Sequence, residues 1–130
     1  MELRYSLRRR REQLTVARDN IGIVIVDFGT ELITIERVKE AHRQHLDLQP
    51  TGPESLMVFG DAGTGLAKEI VDFTASPEMA QVVKAMALVA ETKAAFGLAN
   101  IFLKVARTPY PLKLFRNETD AGAWLESFLL

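Results

Sequence analysis

The sequence predicts an α/β domain: a single-layer, mostly parallel sheet with an antiparallel first strand and helices packed on it. Three observations carry that prediction. From Lys84 to Leu130 the chain reads as strand, helix, short strand, capped helix, broken by a turn at Thr108-Pro109-Tyr110-Pro111. Helical segments also separate the buried strands upstream, and such crossovers join parallel strands. Near the N-terminus Asp19-Asn20 offers a tight turn between two strand-like runs, which makes the first pair an antiparallel hairpin.

The elements follow in order. Leu3, Tyr5 and Leu7 alternate with polar residues, a short strand signal, and Leu14-Thr15-Val16-Ala17 is a second. Ile21 to Phe28 is apolar on both faces at its start, which predicts a strand central in the sheet. Thr34 caps a helix to about Leu46, with Ile35, Val38, Ala41 or His42, and His45 or Leu46 at helical spacing. Pro50 to Pro53 is a loop, and Leu56 to Phe59 a short apolar strand. Gly60 to Gly65 turns the chain into a helix with Leu66, Ile70 and Phe73 as its buried stripe. Ser76-Pro77-Glu78 starts a short helix, with serine as cap and proline at the first helical position. Ala85 to Ala90 is a buried strand, and Thr92 caps a helix whose stripe is Ala95, Leu98, Ala99 and Phe102. Leu112 to Phe115 is a short strand. Asn117-Glu118-Thr119-Asp120 resembles a capping box and opens a helix with Ala121, Trp124, Leu125 and Phe128 on one side.

At 130 residues, 48% apolar and 25% charged, the chain suits one domain, residues 1–130, with a basic arm over about 1–13. It has no cysteine, so disulfides and thiolate chemistry are excluded, which suits a cytoplasmic protein. No apolar run reaches the ~20 residues that span a bilayer, and no long apolar stretch accompanies the N-terminal arginines as a signal peptide requires. No membrane partner is expected. The net charge of −1 hides six arginines against two glutamates in residues 1–18, densest at Arg8 to Arg11. Such an arm can bind nucleic acid, but neither a basic helix nor an aromatic platform supports it, so a solvated edge is the expected reading.

The order of elements, with one antiparallel strand leading into βα units, resembles the SpoIIAA-like fold of STAS domains, and more closely small bacterial domains of unknown function in that group. The residues carrying the likeness are Ala85 to Val89, Asn100 to Lys104, Pro109 to Phe115 and Ala121 to Leu125. The resemblance implies a cytoplasmic bacterial domain that binds a partner or ligand. In STAS antagonists the turn matching Gly60 to Gly65 carries a phosphorylatable hydroxyl after an aspartate; Asp61 and Thr64 are the nearest counterparts. Ala62 stands where those proteins have serine, which argues against such a switch.

Two places are candidates for function. One is the turn Gly60, Asp61, Gly63, Thr64, Gly65 with Glu91, Thr92 and Lys113, placed where open sheets bind ligands, beyond the carboxyl ends of the strands. Its glycines match no nucleotide fingerprint, since Leu66 stands where a Walker lysine belongs. The other is the helix from Lys93 to Ala106, apolar nearly all round. Phe96, Asn100, Ile101 and Leu103 form its candidate partner interface; the C-terminal helix could cover this surface, but a homodimer is the favoured expectation, with another protein as a further partner. His42 and His45, three apart, could hold a metal only with a carboxylate from elsewhere, and are read as side chains at a helix boundary. No catalytic set, metal site or cofactor is expected. The first function expected is a non-enzymatic regulatory or interaction module. The alternatives are a ligand carrier or enzyme with a cleft at the strand ends, and nucleic-acid binding through Arg8 to Arg11.

Overall fold

The computed structural model describes residues 13–60 and 67–129. The Leu3 to Leu7 strand signal, the Arg8 to Arg11 run, and Asp61, Gly63, Thr64, Gly65 and Leu66 lie outside them. The elements are β1 (Thr15–Arg18), β2 (Ile23–Asp27), α1 (Ile35–Asp47), β3 (Glu54–Phe59), α2 (Lys68–Thr74) and α3 (Pro77–Ala80). They continue with β4 (Val83–Val89), α4 (Lys93–Val105), β5 (Leu112–Phe115) and α5 (Glu118–Glu126). The five strands lie in chain order, β1 antiparallel to β2 and every later pair parallel. The expected α/β class is therefore the observed one. β2 is an interior strand, as its apolar faces require, but the central place belongs to β3.

Local chemistry places the hairpin turn and four of the described helix starts. Asp19 Oδ1 accepts from the N–H groups of Ile21 and Ile23 at 3.0 and 2.9 Å, and Gly22 takes a φ of +99°, so the hairpin closes over a side-chain-pinned turn. Thr34, Ser76, Thr92 and Asn117 each accept from a backbone N–H three residues on, capping α1, α3, α4 and α5. Pro77 sits at the first position of α3, where its missing N–H costs nothing.

A chain-ordered parallel sheet repeats the same right-handed crossover, which puts the connecting helices on one face. That face carries Val24, Val26, Leu56, Val58, Met86, Leu88 and Leu112, and packs with Val38 and Ala41 of α1, Phe73 of α2 and Met79 of α3. The other face carries Ile23, Met57, Phe59, Ala85, Ala87 and Val89, and α5 closes it with Ala121 and Leu125, both fully buried. Trp124 stacks its edge on Phe128 at 5.0 Å and lies 5.6 Å from Phe115, extending this second core toward β5. The two cores are thus built from alternate residues of the same strands, the period-two consequence of the pleat.

The N-terminal hairpin is tied to α1 by one polar contact set. Arg18 grips Glu54 at the start of β3 through Nε and Nη2, at 2.6 and 2.9 Å. His45, 2% exposed, donates from Nε2 to Glu54 Oε1 at 2.8 Å. Burial works against the Glu54 carboxylate, but the bonds from Arg18 and His45 outweigh it and hold Glu54 below the usual carboxylate value. Glu54→Ala leaves the His45 Nε2 group buried without its acceptor, and is expected to cost about 1–3 kcal/mol by urea denaturation. A loss under about 0.5 kcal/mol would show that the contact is incidental.

Candidate functional site

Between the helices and the first face of the sheet lies a cavity of about 170 Å³. Its floor is the carboxyl-terminal half of β2, β3 and β4: Val26, Phe28, Val58, Gly60, Leu88 and Ala90, with Leu56 and Met86 behind them. Val26 is in register with Val58, and Val58 with Leu88, so one row of three strands forms the base. Val58 and Leu88 are partly accessible although they sit on the two middle strands of the parallel ladder. Interior strand residues are normally sealed, and the space above them is the reason these are not.

The walls come from three helices. α1 contributes Val38, Ala41, His42 and His45; α2 contributes Ile70 and Thr74; α4 contributes Ala95, Leu98, Ala99 and Phe102. Ile33, before α1, Met79 of α3 and Val89 of β4 complete the described lining. Gly60 approaches the site closely: a Cβ there would come within 2.7 Å of Ile33 Cδ1. That atom ends a flexible side chain, so the glycine keeps room rather than a strained conformation.

Polar groups in this lining are few, and most are spent within the fold. Thr74 Oγ1 donates to the Ile70 carbonyl at 2.8 Å, and His45 Nε2 is held by Glu54. His42 is 9% exposed, edge-on to the Phe73 ring at 5.5 Å, with Nε2 3.3 Å from Glu78 Oε2. Its Nδ1 is buried with no hydrogen-bond partner among the described residues. Burial pushes the His42 imidazole below its ordinary value, against the opposing pull of Glu78. The ring is therefore neutral at neutral pH, and the carboxylate acceptor beside Nε2 assigns the ring proton to that nitrogen.

This has a consequence for stability. With the folded value below the ordinary 6.5, the unfolded chain binds a proton the folded chain refuses in the window just under pH 6.5. Stability therefore falls as pH drops through that window, and stops falling from this source below the folded value. Urea midpoints at about pH 5 and about pH 7.5 should differ more in the wild type than in His42→Phe. An equal pH dependence in the two would remove His42 as the cause.

The sequence candidates divide around this site. Gly60 is in the cavity lining. Glu91 and Thr92 are exposed at the β4–α4 junction, outside the described lining, and Thr92 is committed to capping α4. Lys113 pairs in register with Ala87, so it stands on the opposite face of the sheet, its ammonium 5.5 Å from the Phe115 ring. His42 and His45 lie on the buried side of α1 rather than at its boundary, because the stripe Ile35, Val38, His42, His45 keeps strict helical spacing and leaves Leu46 46% exposed. No cluster of three or more metal-ligating side chains occurs among the described residues.

The second candidate place, α4, uses little of its apolar surface. Ala95 and Phe102 are its buried residues, while Leu98, Ile101 and Val105 are 41, 46 and 50% exposed. Phe96 and Leu103 are half-buried and Asn100 exposed; the Arg116 guanidinium lies over the Phe96 ring at 4.1 Å. The C-terminal helix was one possible cover for this surface, but α5 packs on β3, β4 and β5 from the other face of the sheet.

An α/β domain with its crossover helices on one sheet face, α5 on the other, and an apolar cavity beneath the crossover helices toward the carboxyl ends of the strands, is the class these features define. Residues 16–129 match the model of DUF7793, a domain of unknown function, and the chain belongs to that family. No curated protein and no solved structure matches the chain significantly. No helix among the described residues is long and apolar enough to cross a membrane.

Proposed function

We propose that this domain binds a small, mainly apolar molecule in the cavity over β2, β3 and β4, and acts as a ligand-responsive regulatory or interaction module. The observation that carries this reading is the position and chemistry of the cavity. It lies over the carboxyl-terminal halves of parallel strands, toward the end of the sheet where open α/β folds take ligands, and its lining is nearly all carbon. Its volume is close to that of an engineered apolar cavity of roughly 150 Å³ in another protein, which stays dry and admits benzene. α4 connects binding to response: Ala95 and Phe102 look into the core, while Ile101 and Val105 on the same helix face outward. The STAS-like resemblance agrees with a regulatory role and is supported by the chain-ordered sheet with its antiparallel first strand.

Benzene titration followed by thermal unfolding and by methyl NMR tests the reading. The expected result is a concentration-dependent rise in Tm, with shifts centred on Val26, Val58 and Leu88. Unmoved Tm and methyl resonances at saturating benzene would reject it.

A homodimer through α4 is the second reading, favoured by the exposed Leu98, Ile101 and Val105 beside Phe96, Asn100 and Leu103. Light scattering at micromolar concentration is expected to give twice the chain mass, and Ile101→Glu to restore the single mass. A wild-type monomer would end this reading and leave the cavity reading intact.

A further inference from the structure

We infer that two copies of the chain pair through α4 in antiparallel register and that the second copy covers the cavity wall at Leu98, so that ligand binding and dimerisation strengthen each other. The inference rests on the homodimer and cavity readings above, and adds the geometry of the pair and the link between the two.

The seam is Ala94, Leu98, Ile101 and Val105, all exposed on α4. Their spacing of four, three and four residues keeps them on one stripe, the pattern with which helices pair. That spacing reads the same in both directions. An antiparallel second copy therefore sets Ala94 against Val105 and Leu98 against Ile101. Gly97 borders the stripe, and a Cβ there would meet nothing within 4 Å, so the approach of another helix is open. Charge chooses the orientation. Lys104 and Arg107 are exposed at the carboxyl end of α4, and a parallel pair would bring the cations of both copies together. Antiparallel pairing separates them and sets each group beside the amino end of the other helix, where Glu91 is exposed.

Leu98 belongs to both surfaces. It lines the cavity and is 41% exposed, so the wall there is one side chain thick. Ile101 belongs to the seam alone, outside the described lining. Ile101 of a second copy, packed on Leu98, replaces solvent on the outer side and holds Leu98 over the guest. Such coupling is reciprocal, so a guest that fixes Leu98 tightens the seam in return.

Cysteine cross-linking tests the register, and the chain has no cysteine of its own to confuse it. Ala94 and Val105 are eleven residues apart, roughly 16 Å along the helix, too far for a disulfide within one chain. Oxidised Ala94→Cys/Val105→Cys is expected to run as a covalent dimer on a non-reducing gel, and each single variant as a monomer. Cross-linking of a single variant, or none in the double variant, would overturn the register while leaving a light-scattering dimer in place. A monomeric wild type would end the dimer reading and this inference together. An Ile101→Glu chain that stays dimeric would place the interface elsewhere and overturn the inference. Calorimetric titration reads the link: monomeric Ile101→Glu is expected to bind benzene at least about fivefold more weakly than the wild-type dimer. Equal affinities would overturn the link. No benzene binding to the wild type would reject the cavity reading and the link with it, while the cross-links still decide the pairing.

Discussion

Leu125→Ala is expected to destabilise the domain by about 2–5 kcal/mol, measured as the shift of the urea midpoint at constant slope. Leu125 is fully buried against the sheet face made by Ile23, Met57, Phe59, Ala85, Ala87 and Val89. α5 is the described helix that covers this face, and its other buried residues, Ala121 and Gly122, are small. Truncation therefore removes the main anchor and leaves a hole that a sheet cannot close by collapse. The total stability of a domain this size is about 5–15 kcal/mol, so the loss is a large share of the whole. A loss under about 1 kcal/mol would mean that Trp124 and Phe128 hold the helix without it.

Val58→Phe is expected to have the opposite sign. Val58 stands at the centre of the cavity floor, in register with Val26 and Leu88, and is only partly buried. A phenyl ring there enters existing space instead of a packed core, so the overpacking cost is avoided. The expected outcome is a gain of about 0.5–2 kcal/mol in stability. Benzene affinity should fall at least about tenfold, equivalent to about 1.4 kcal/mol. Undiminished benzene binding in this variant would place the ligand somewhere else. The pair of variants separates the two sheet faces: one is sealed and loses stability on truncation, the other has room and gains stability on filling.

Most of the fold was legible in the chain because each element carries its own signal. Thr34, Ser76, Thr92 and Asn117 announce helix starts and make the cap bonds expected of them. The Asp19 turn announces the hairpin and holds it through two side-chain bonds. Strand order was inferable as class alone, since no local signal states which neighbour a parallel strand chooses. The site was much less legible. Gly60 was found because glycine after a strand is conspicuous, whereas the cavity itself is a deficit of volume summed over β2, β3, β4, α1, α2 and α4, which no single residue encodes. His42 is ambiguous in the sequence because Ala41, His42, His45 and Leu46 offer two overlapping stripes. The spacing of Ile35, Val38, His42 and His45 was the signal that resolves them, with Leu46 left outward. Position along the chain alone puts Lys113 near the strand ends, and the alternation of β5 turns it to the far face.

The role proposed for this domain depends on the space above Val58 being open and accessible to a small apolar guest. Xenon pressurisation of crystals tests that most directly, because xenon enters apolar cavities without needing a hydrogen bond. A xenon peak enclosed by Val26, Val58, Leu88 and Phe102 is the expected result. Crystals in which these side chains close on one another, with no xenon between α4 and the sheet, would contradict it.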